Sequence, residues 1–164
     1  LPVTVPRCIG QIPFHYSQKE INFKKRYLFL KEGPRYPFGY GLSYTAFHYS
    51  NLTLSKKEVA NGDSLEASIT LSNTGDRRGK EVVQLYIQDL HGSVVRPAKE
   101  LKAFRKVDLQ PGQKKTLSFT IEPEMLAMTG LDMVRAVENG SFVVQIGPNS
   151  AEGLTETFTV ILRA

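Results

Sequence analysis

Three histidines, one cysteine and a scatter of carboxylates are the side chains of this sequence that could do chemistry. His15, His48 and His91 carry ring nitrogens that can ligate a metal, and Cys8 carries the single thiol. Metal ligands recur at short fixed spacings on a helix face or in a knuckle, and these histidines lie far apart in the chain. Surface or packing roles explain them more simply. Arg7 beside Cys8 could lower the thiol pKa, but a small part-buried side chain accounts for it as well. A serine nucleophile needs a sharp Gly-x-Ser-x-Gly turn, and the chain has none. Gly39-Tyr40-Gly41 lacks the spacing and the strand-to-helix setting of a dinucleotide loop. Glycoside hydrolysis needs two facing carboxylates. Here the Asp and Glu residues fall mostly on polar strand faces or in turns. Asp89, at the end of a strand before a loop, is the least ordinary of them. Lys24-Lys25-Arg26 precedes Tyr27-Leu28-Phe29-Leu30, a mix of cations and aromatics that single-stranded nucleic acid would favour. A solvated turn running into a buried strand explains it with less. Asn51-Leu52-Thr53 and Asn139-Gly140-Ser141 match the N-glycosylation pattern, which short sequences meet often by chance.

The elements that would position these residues fall into two regimes. Residues 1–45 hold Pro2, Pro6, Pro13, Pro34 and Pro37, each removing a backbone donor and restricting its predecessor to extended geometry. Long helices are excluded across most of this leader. Val3 and Val5 favour a strand, and a chain that opens inside one reads as a fragment. Nine of the sixteen aromatic residues lie in this leader, too many for a solvated tail. They call for a surface to cover them, which the rest of this chain is not expected to supply.

After residue 45 the pattern alternates with period two. Leu65, Ala67, Ile69 and Leu71 share one face, with Ser64, Glu66, Ser68 and Thr70 opposite, the mark of a half-buried antiparallel strand. Val83, Leu85 and Ile87 repeat it, as do Leu117, Phe119 and Ile121, then Phe142, Val144 and Ile146, then Phe158, Val160 and Leu162. Residues 47–54 and 99–109 read as strands with weaker alternation. Asn61-Gly62-Asp63, Asn73-Thr74-Gly75-Asp76, Pro111-Gly112 and Gly147-Pro148 supply turns. Asn139-Gly140 predicts a type I′ hairpin joining 133–138 to 141–146. Glu122-Pro123-Glu124-Met125-Leu126 predicts one helical turn. Seven to eight short antiparallel strands with one apolar face each describe an all-β, immunoglobulin-like or fibronectin type III sandwich, preceded by a short irregular leader. The missing Cys…Trp…Cys set favours the fibronectin side.

Composition narrows the classes. The chain has 164 residues with a formal net charge of +5, too short for a (β/α)₈ barrel of ~250 residues. One cysteine excludes a disulfide framework, and no apolar run reaches the ~20 residues of a membrane helix. The leader carries seven basic and two acidic side chains, whereas residues 46–164 carry fourteen of each. The surplus therefore marks a boundary near residue 45 rather than a basic nucleic-acid face.

The run Tyr36-Pro37-Phe38-Gly39-Tyr40-Gly41-Leu42-Ser43-Tyr44-Thr45 resembles the segment leading into the C-terminal fibronectin type III-like domain of glycoside hydrolase family 3 enzymes, the β-glucosidase and β-xylosidase group. Asn73-Thr74-Gly75, Gly79-Lys80-Glu81-Val82-Val83-Gln84-Leu85-Tyr86, Arg96-Pro97, Lys99-Glu100-Leu101-Lys102-Ala103-Phe104 and Gly140-Ser141-Phe142 follow in the family's order. Leu1 to Arg7 and Gly10-Gln11-Ile12-Pro13 resemble the end of its α/β sandwich domain. The chain departs from the family at Ala103, where Gly is frequent, and at Met128 to Asp132.

The resemblance implies two parts: residues 1–45 as the tail of an α/β domain and linker, and 46–164 as the sandwich. It implies an intact parent that hydrolyses terminal non-reducing β-D-glucosyl or related residues with retention, in the periplasm or secreted. Its partners would be the upstream barrel and α/β domains, a β-glucoside or oligosaccharide substrate, and a second copy in a homodimer; nucleic acid and a membrane span are not among them. The family's two catalytic carboxylates lie upstream of this segment, so no catalytic, cofactor-binding or metal-ligating residue is carried over, no cofactor is implied, and the piece alone is expected to be inactive. The rival expectation is a carbohydrate-binding or protein-interaction module. Tyr86 and Phe104 are its candidates, provided they lie on an outer face.

Overall fold

The computed structural model describes residues 1–19 and 30–161. Lys24-Lys25-Arg26 and the aromatics that follow it lie outside the described residues. The strands are β1 (Phe47–Leu54), β2 (Glu58–Ala60), β3 (Leu65–Asn73), β4 (Gly79–Asp89), β5 (Glu100–Leu109), β6 (Lys114–Ile121), β7 (Met128–Thr129), β8 (Arg135–Ala136), β9 (Gly140–Gly147) and β10 (Leu154–Ile161). One helical turn, α1 (Pro123–Leu126), has its proline at the start, where a missing N–H costs nothing. A 3₁₀ turn at Ile9–Gln11 is the regular element of the described leader.

Two sheets face each other. One runs β1-β3-β6, the other β2-β10-β9-β4-β5, and β7 and β8 form a small separate ribbon. The period-two residues interleave between the sheets: Leu65, Ala67, Ile69 and Leu71 from β3 meet Val83, Leu85 and Ile87 from β4, with Phe142 stacked on Phe158 at a centroid distance of 5.5 Å. The all-β sandwich is as the alternation predicts, with one departure. β2 runs parallel to β10, so the strands are not all antiparallel.

Two local features explain where alternation fails. In β1, Asn51 takes φ 54° and the register slips between Ser50 and Thr53. This bulge places two residues opposite one, so Tyr49 and Leu52 both turn inward although three positions apart. β5 slips against β4 between Leu85 and Tyr86, and it is an edge strand carrying an inward Arg105 whose guanidinium lies 5.3 Å from the Phe119 ring. A charge on the inner face of an edge discourages further strand pairing.

Asn139-Gly140 does not form the expected hairpin. Neither residue has positive φ, and the strand after it pairs with β4 and β10. β9 is a central strand with both edges occupied, so residues 133–138 have no edge to join. Instead Arg135–Ala136 pairs back to Met128–Thr129.

Val3 and Val5 do not open a strand. Val5 makes an isolated bridge to Tyr36, and Gly39 N–H donates to Leu1 O at 2.8 Å. The two ends of the leader thus lie side by side. No described helix is long and apolar enough to cross a membrane.

Candidate functional site

β4 is buried on both faces. Its central residues Val83 to Ile87 are all buried, odd positions toward the other sheet and even positions outward. The outward pair, Gln84 and Tyr86, meets the leader. Tyr16 stacks on Phe38 at 4.3 Å, and its edge meets Tyr86 at 5.8 Å, near the geometries aromatic rings prefer. Tyr86 is left with 0% exposure.

Hydrogen bonds lock this cover in place. Tyr86 Oη donates to Gln84 Oε1, and Gln84 Nε2 donates to the carbonyls of Gly39 and Pro148. Leu101 N–H donates to Tyr16 Oη at 3.3 Å, Ala98 N–H to Gln18 O at 3.1 Å and Ser150 N–H to Phe38 O at 2.9 Å. Each polar group here has a partner, so the buried network rigidifies rather than destabilises. Gly39 sits at φ 82°, and a Cβ there would overlap Gln84 Oε1. Burial, and next the neighbouring Tyr16, hold the Tyr86 phenol above its usual range. The aromatics that seemed to lack a surface find one here for Tyr16 and Phe38, contrary to the expectation that the chain would not supply it. The signal was a tyrosine in the even, nominally wet set of β4.

Half-buried Lys99 completes the layer. Its ammonium donates to Gln145 Oε1 at 2.7 Å and Ser150 O at 3.0 Å, and burial lowers its pKa. Gln145 in turn donates to the carbonyls of Asn149 and Glu152.

Beside this layer opens a cleft of about 430 Å³. Tyr40 and Leu42 line it from the leader, Lys80, Val82 and Phe104 from the sheet, and Asn149 and Glu152 from the β9–β10 loop. Phe104 lies on the outer face and is 66% exposed. Of the two aromatic candidates, then, Tyr86 is covered and Phe104 is presented.

The sequence's other candidates go to separate places. Asp89 is a structural ion-pair partner: its carboxylate is 3% exposed and accepts from Arg96 Nη1 at 2.7 Å and from His91 N–H at 3.0 Å. Arg96 also reaches Leu126 O at 3.3 Å and Glu100 at 3.4 Å, pinning the β4–β5 loop to α1. His15 lies in the leader with Nδ1 3.4 Å from Ser17 Oγ, His48 is on the exposed side of β1, and His91 is in the β4–β5 loop. No group of three His, Cys, Asp or Glu is placed to hold a metal among the described residues. Cys8 is a half-buried free thiol before the 3₁₀ turn. Asn51 is exposed at the β1 bulge, and Asn139 is exposed before β9.

A second acid, which alternation hides, is Glu81. It lies on the inner side of β4, where Tyr49 Oη donates to its Oε1 at 2.8 Å. Burial raises the Glu81 pKa, and the Tyr49 hydrogen bond opposes this. Tyr49 is pushed up by burial and then by the Glu81 charge.

Residues 81–150 match the model of the fibronectin type III-like domain. A Formosa agariphila protein assigned as a β-xylosidase is 57% identical over 152 residues, covering 93% of this chain and 20% of its own length. The periplasmic β-glucosidase of Salmonella typhimurium is 41% identical over 171 residues, covering 98% of this chain and 22% of its own. The solved β-glucosidase of Erythrobacter marinus superposes with a TM-score of 0.91 at 40% identity, over 98% of this chain and 21% of that one. The chain carries a fibronectin type III-like domain and is similar, over nearly its whole length, to the C-terminal region of these β-glucosidase and β-xylosidase relatives. It spans about a fifth of the length of these relatives. The Listeria innocua β-glucosidase solved with glucose matches 98% of the chain at a TM-score of 0.88, so the family likeness takes in the leader as well as the sandwich.

Proposed function

We propose that this chain is a non-catalytic structural module of a longer family 3 glycoside hydrolase. The observation that carries the reading is the leader's two-sidedness. Tyr16 and Phe38 are spent on the sandwich, while Leu42 and Tyr44 stand 90% and 93% exposed, with Leu1, Val3, Ile9 and Ile12 also outward. Apolar side chains presented from a hydrogen-bonded strap suit a surface that other parts of a longer enzyme cover. Residues 1–45 would then be the tail of the preceding domain and the linker, and 46–164 the sandwich that holds its orientation.

The parent would hydrolyse terminal non-reducing β-D-glucosyl or related β-glycosyl residues. Retention would require two carboxylates about 5–5.5 Å apart. This chain's most distinctive acids, Asp89 and Glu81, are engaged by Arg96 and Tyr49, so the reacting pair would come from the remainder. The periplasmic name of the Salmonella relative supports a periplasmic or secreted parent. Assay of the purified chain on aryl β-glucosides and β-xylosides tests this: no turnover above buffer is expected, and sustained turnover removed by none of the usual contaminant controls overturns it.

A further inference from the structure

The cleft beside the leader has a composition that burial alone does not call for. Phe104 faces it 66% exposed with Val82 beside it on the same outer surface. Cross-strand pairing of Gln84 with Phe104 and Val82 with Lys106 sets these residues on one outer face of β4 and β5. Around this apolar floor stand Lys80, the acids Glu81 and Glu152, the amide of Asn149 and the ring of Tyr40. The volume of about 430 Å³ lies in the ~300–1,000 Å³ range of small-ligand clefts.

The rim is fixed before any ligand arrives. Asn149 is buried, and its Oδ1 accepts from the N–H groups of Ala151 and Glu152 at 2.9 and 3.0 Å. Its Nδ2 donates to Glu152 Oε2 at 3.2 Å, leaving Oε1 of the same carboxylate for another donor. Gln145 grips the same loop through the Asn149 and Glu152 carbonyls. A carboxylate held this way loses little conformational entropy on binding.

We propose that this cleft is a binding site for a β-linked pyranose oligosaccharide. A pyranose with equatorial substituents has an apolar C–H face and a ring of hydroxyls. The face fits the Phe104–Val82 floor; the hydroxyls donate to Glu152 and accept from Lys80. A β-linked chain is extended and can run along the open outer face of β4 and β5. One lysine beside two acidic residues suits a neutral ligand better than a phosphate or a polyanion. The proposal stands on the cleft alone and does not depend on what reaction a longer enzyme performs.

The test is titration of the ¹⁵N-labelled 164-residue chain with xylotetraose and cellotetraose, followed by NMR. Saturable shifts centred on Val82, Phe104 and residues 149–152 are expected, with millimolar affinity. Phe104→Ala should weaken binding about tenfold, the worth of ~1.4 kcal/mol, and Phe104→Tyr should retain it. Glu152→Gln should weaken it less. Spectral dispersion reports that each variant is folded, which the exposure of Phe104 favours. Absence of saturable shifts, shifts elsewhere on the molecule, equal affinity in Phe104→Ala, or equal shifts with mannitol or inorganic phosphate would each overturn the assignment.

Discussion

On β3 the residues pointing away from the core are Glu66, Ser68 and Thr70; on β4 they are Gln84, Tyr86 and Gln88. The two strands alternate alike, yet their outer faces have opposite fates. On the three-stranded sheet the face stays wet, and Ser68 pairs with Ser118 and Thr70 with Thr116 across the strands, at 3.1 and 3.4 Å. On the five-stranded sheet Tyr86 and Gln84 are buried beneath the leader. The difference is one of partner supply. Short hydroxyls satisfy one another or water at little cost, whereas a tyrosine ring on a sheet surface gains only if another apolar group covers it. A strand's own pattern shows which residues share a face, but not whether that face is a surface.

Removing the leader is the severest challenge to this contrast. A chain of residues 46–164 loses the Tyr16 and Phe38 rings from the outer face and the Gly39 carbonyl from Gln84. Against a total stability of about 5–15 kcal/mol, a loss of roughly 5 kcal/mol is expected, leaving a marginal domain. Urea unfolding of the two chains measures it. Equal stability would show that the leader is a passenger and that the two faces do not differ.

Tyr86→Ala sharpens the same contrast with one residue. The ring is fully buried and its hydroxyl anchors Gln84, so truncation should cost about 3–5 kcal/mol. Thr70→Ala, on the wet face, should stay within about 0.5 kcal/mol. Limited proteolysis adds a second reading, because Tyr86→Ala should expose the leader to cleavage before the sandwich unfolds and Thr70→Ala should not.

Gly39→Ala asks whether the cover depends on close approach. The position combines φ 82° with a Cβ that would overlap the Gln84 amide, so a cost of about 1–3 kcal/mol is expected. Gly62→Ala makes the control: it shares a positive φ of 93° but has nothing within 4 Å. It should therefore cost only the backbone strain, and the gap between the two variants isolates the contact with Gln84.

Which parts of this were legible follows from range. Period-two runs located the main strands, because alternation is a property of neighbouring residues. The β1 bulge spoiled its own signal, since Asn51 at φ 54° inserts a position and moves Leu52 to the core. The parallel β2–β10 pair was illegible because Glu58–Ala60 is too short to alternate and its partner lies about a hundred residues on. Asn139-Gly140 misled because turn chemistry gives way when the following strand is central. Asp89 read as a surface or turn residue, and its buried pairing with Arg96 was illegible because the partner's approach is set by the β4–β5 loop rather than by spacing. Tyr16, Phe38 and Tyr86 come together from three distant places, which no local pattern encodes.

Glu81 carries the contrast to the inner side of β4, with the smallest expected effect. It is a carboxylate between the sheets whose pKa is raised above its ordinary 4.5, chiefly by burial, with Tyr49 Oη as its hydrogen-bond donor. A raised value means the folded state holds the proton more tightly than the unfolded chain does. Its stabilising contribution is therefore full below about pH 4.5 and is lost as pH rises through the folded pKa. At neutral pH an ionised Glu81 weakens the fold. Glu81→Gln keeps an acceptor for Tyr49 and removes the charge, so the variant should be more stable at pH 7 by on the order of 1 kcal/mol. That corresponds to roughly 2–4 °C in Tm. The gain should shrink to nothing as pH falls below 4.5. A pH-independent difference between variant and parent would assign the effect to shape rather than charge. It would also mean that the inner end of β4, unlike its covered outer face, tolerates an ionised group at no cost.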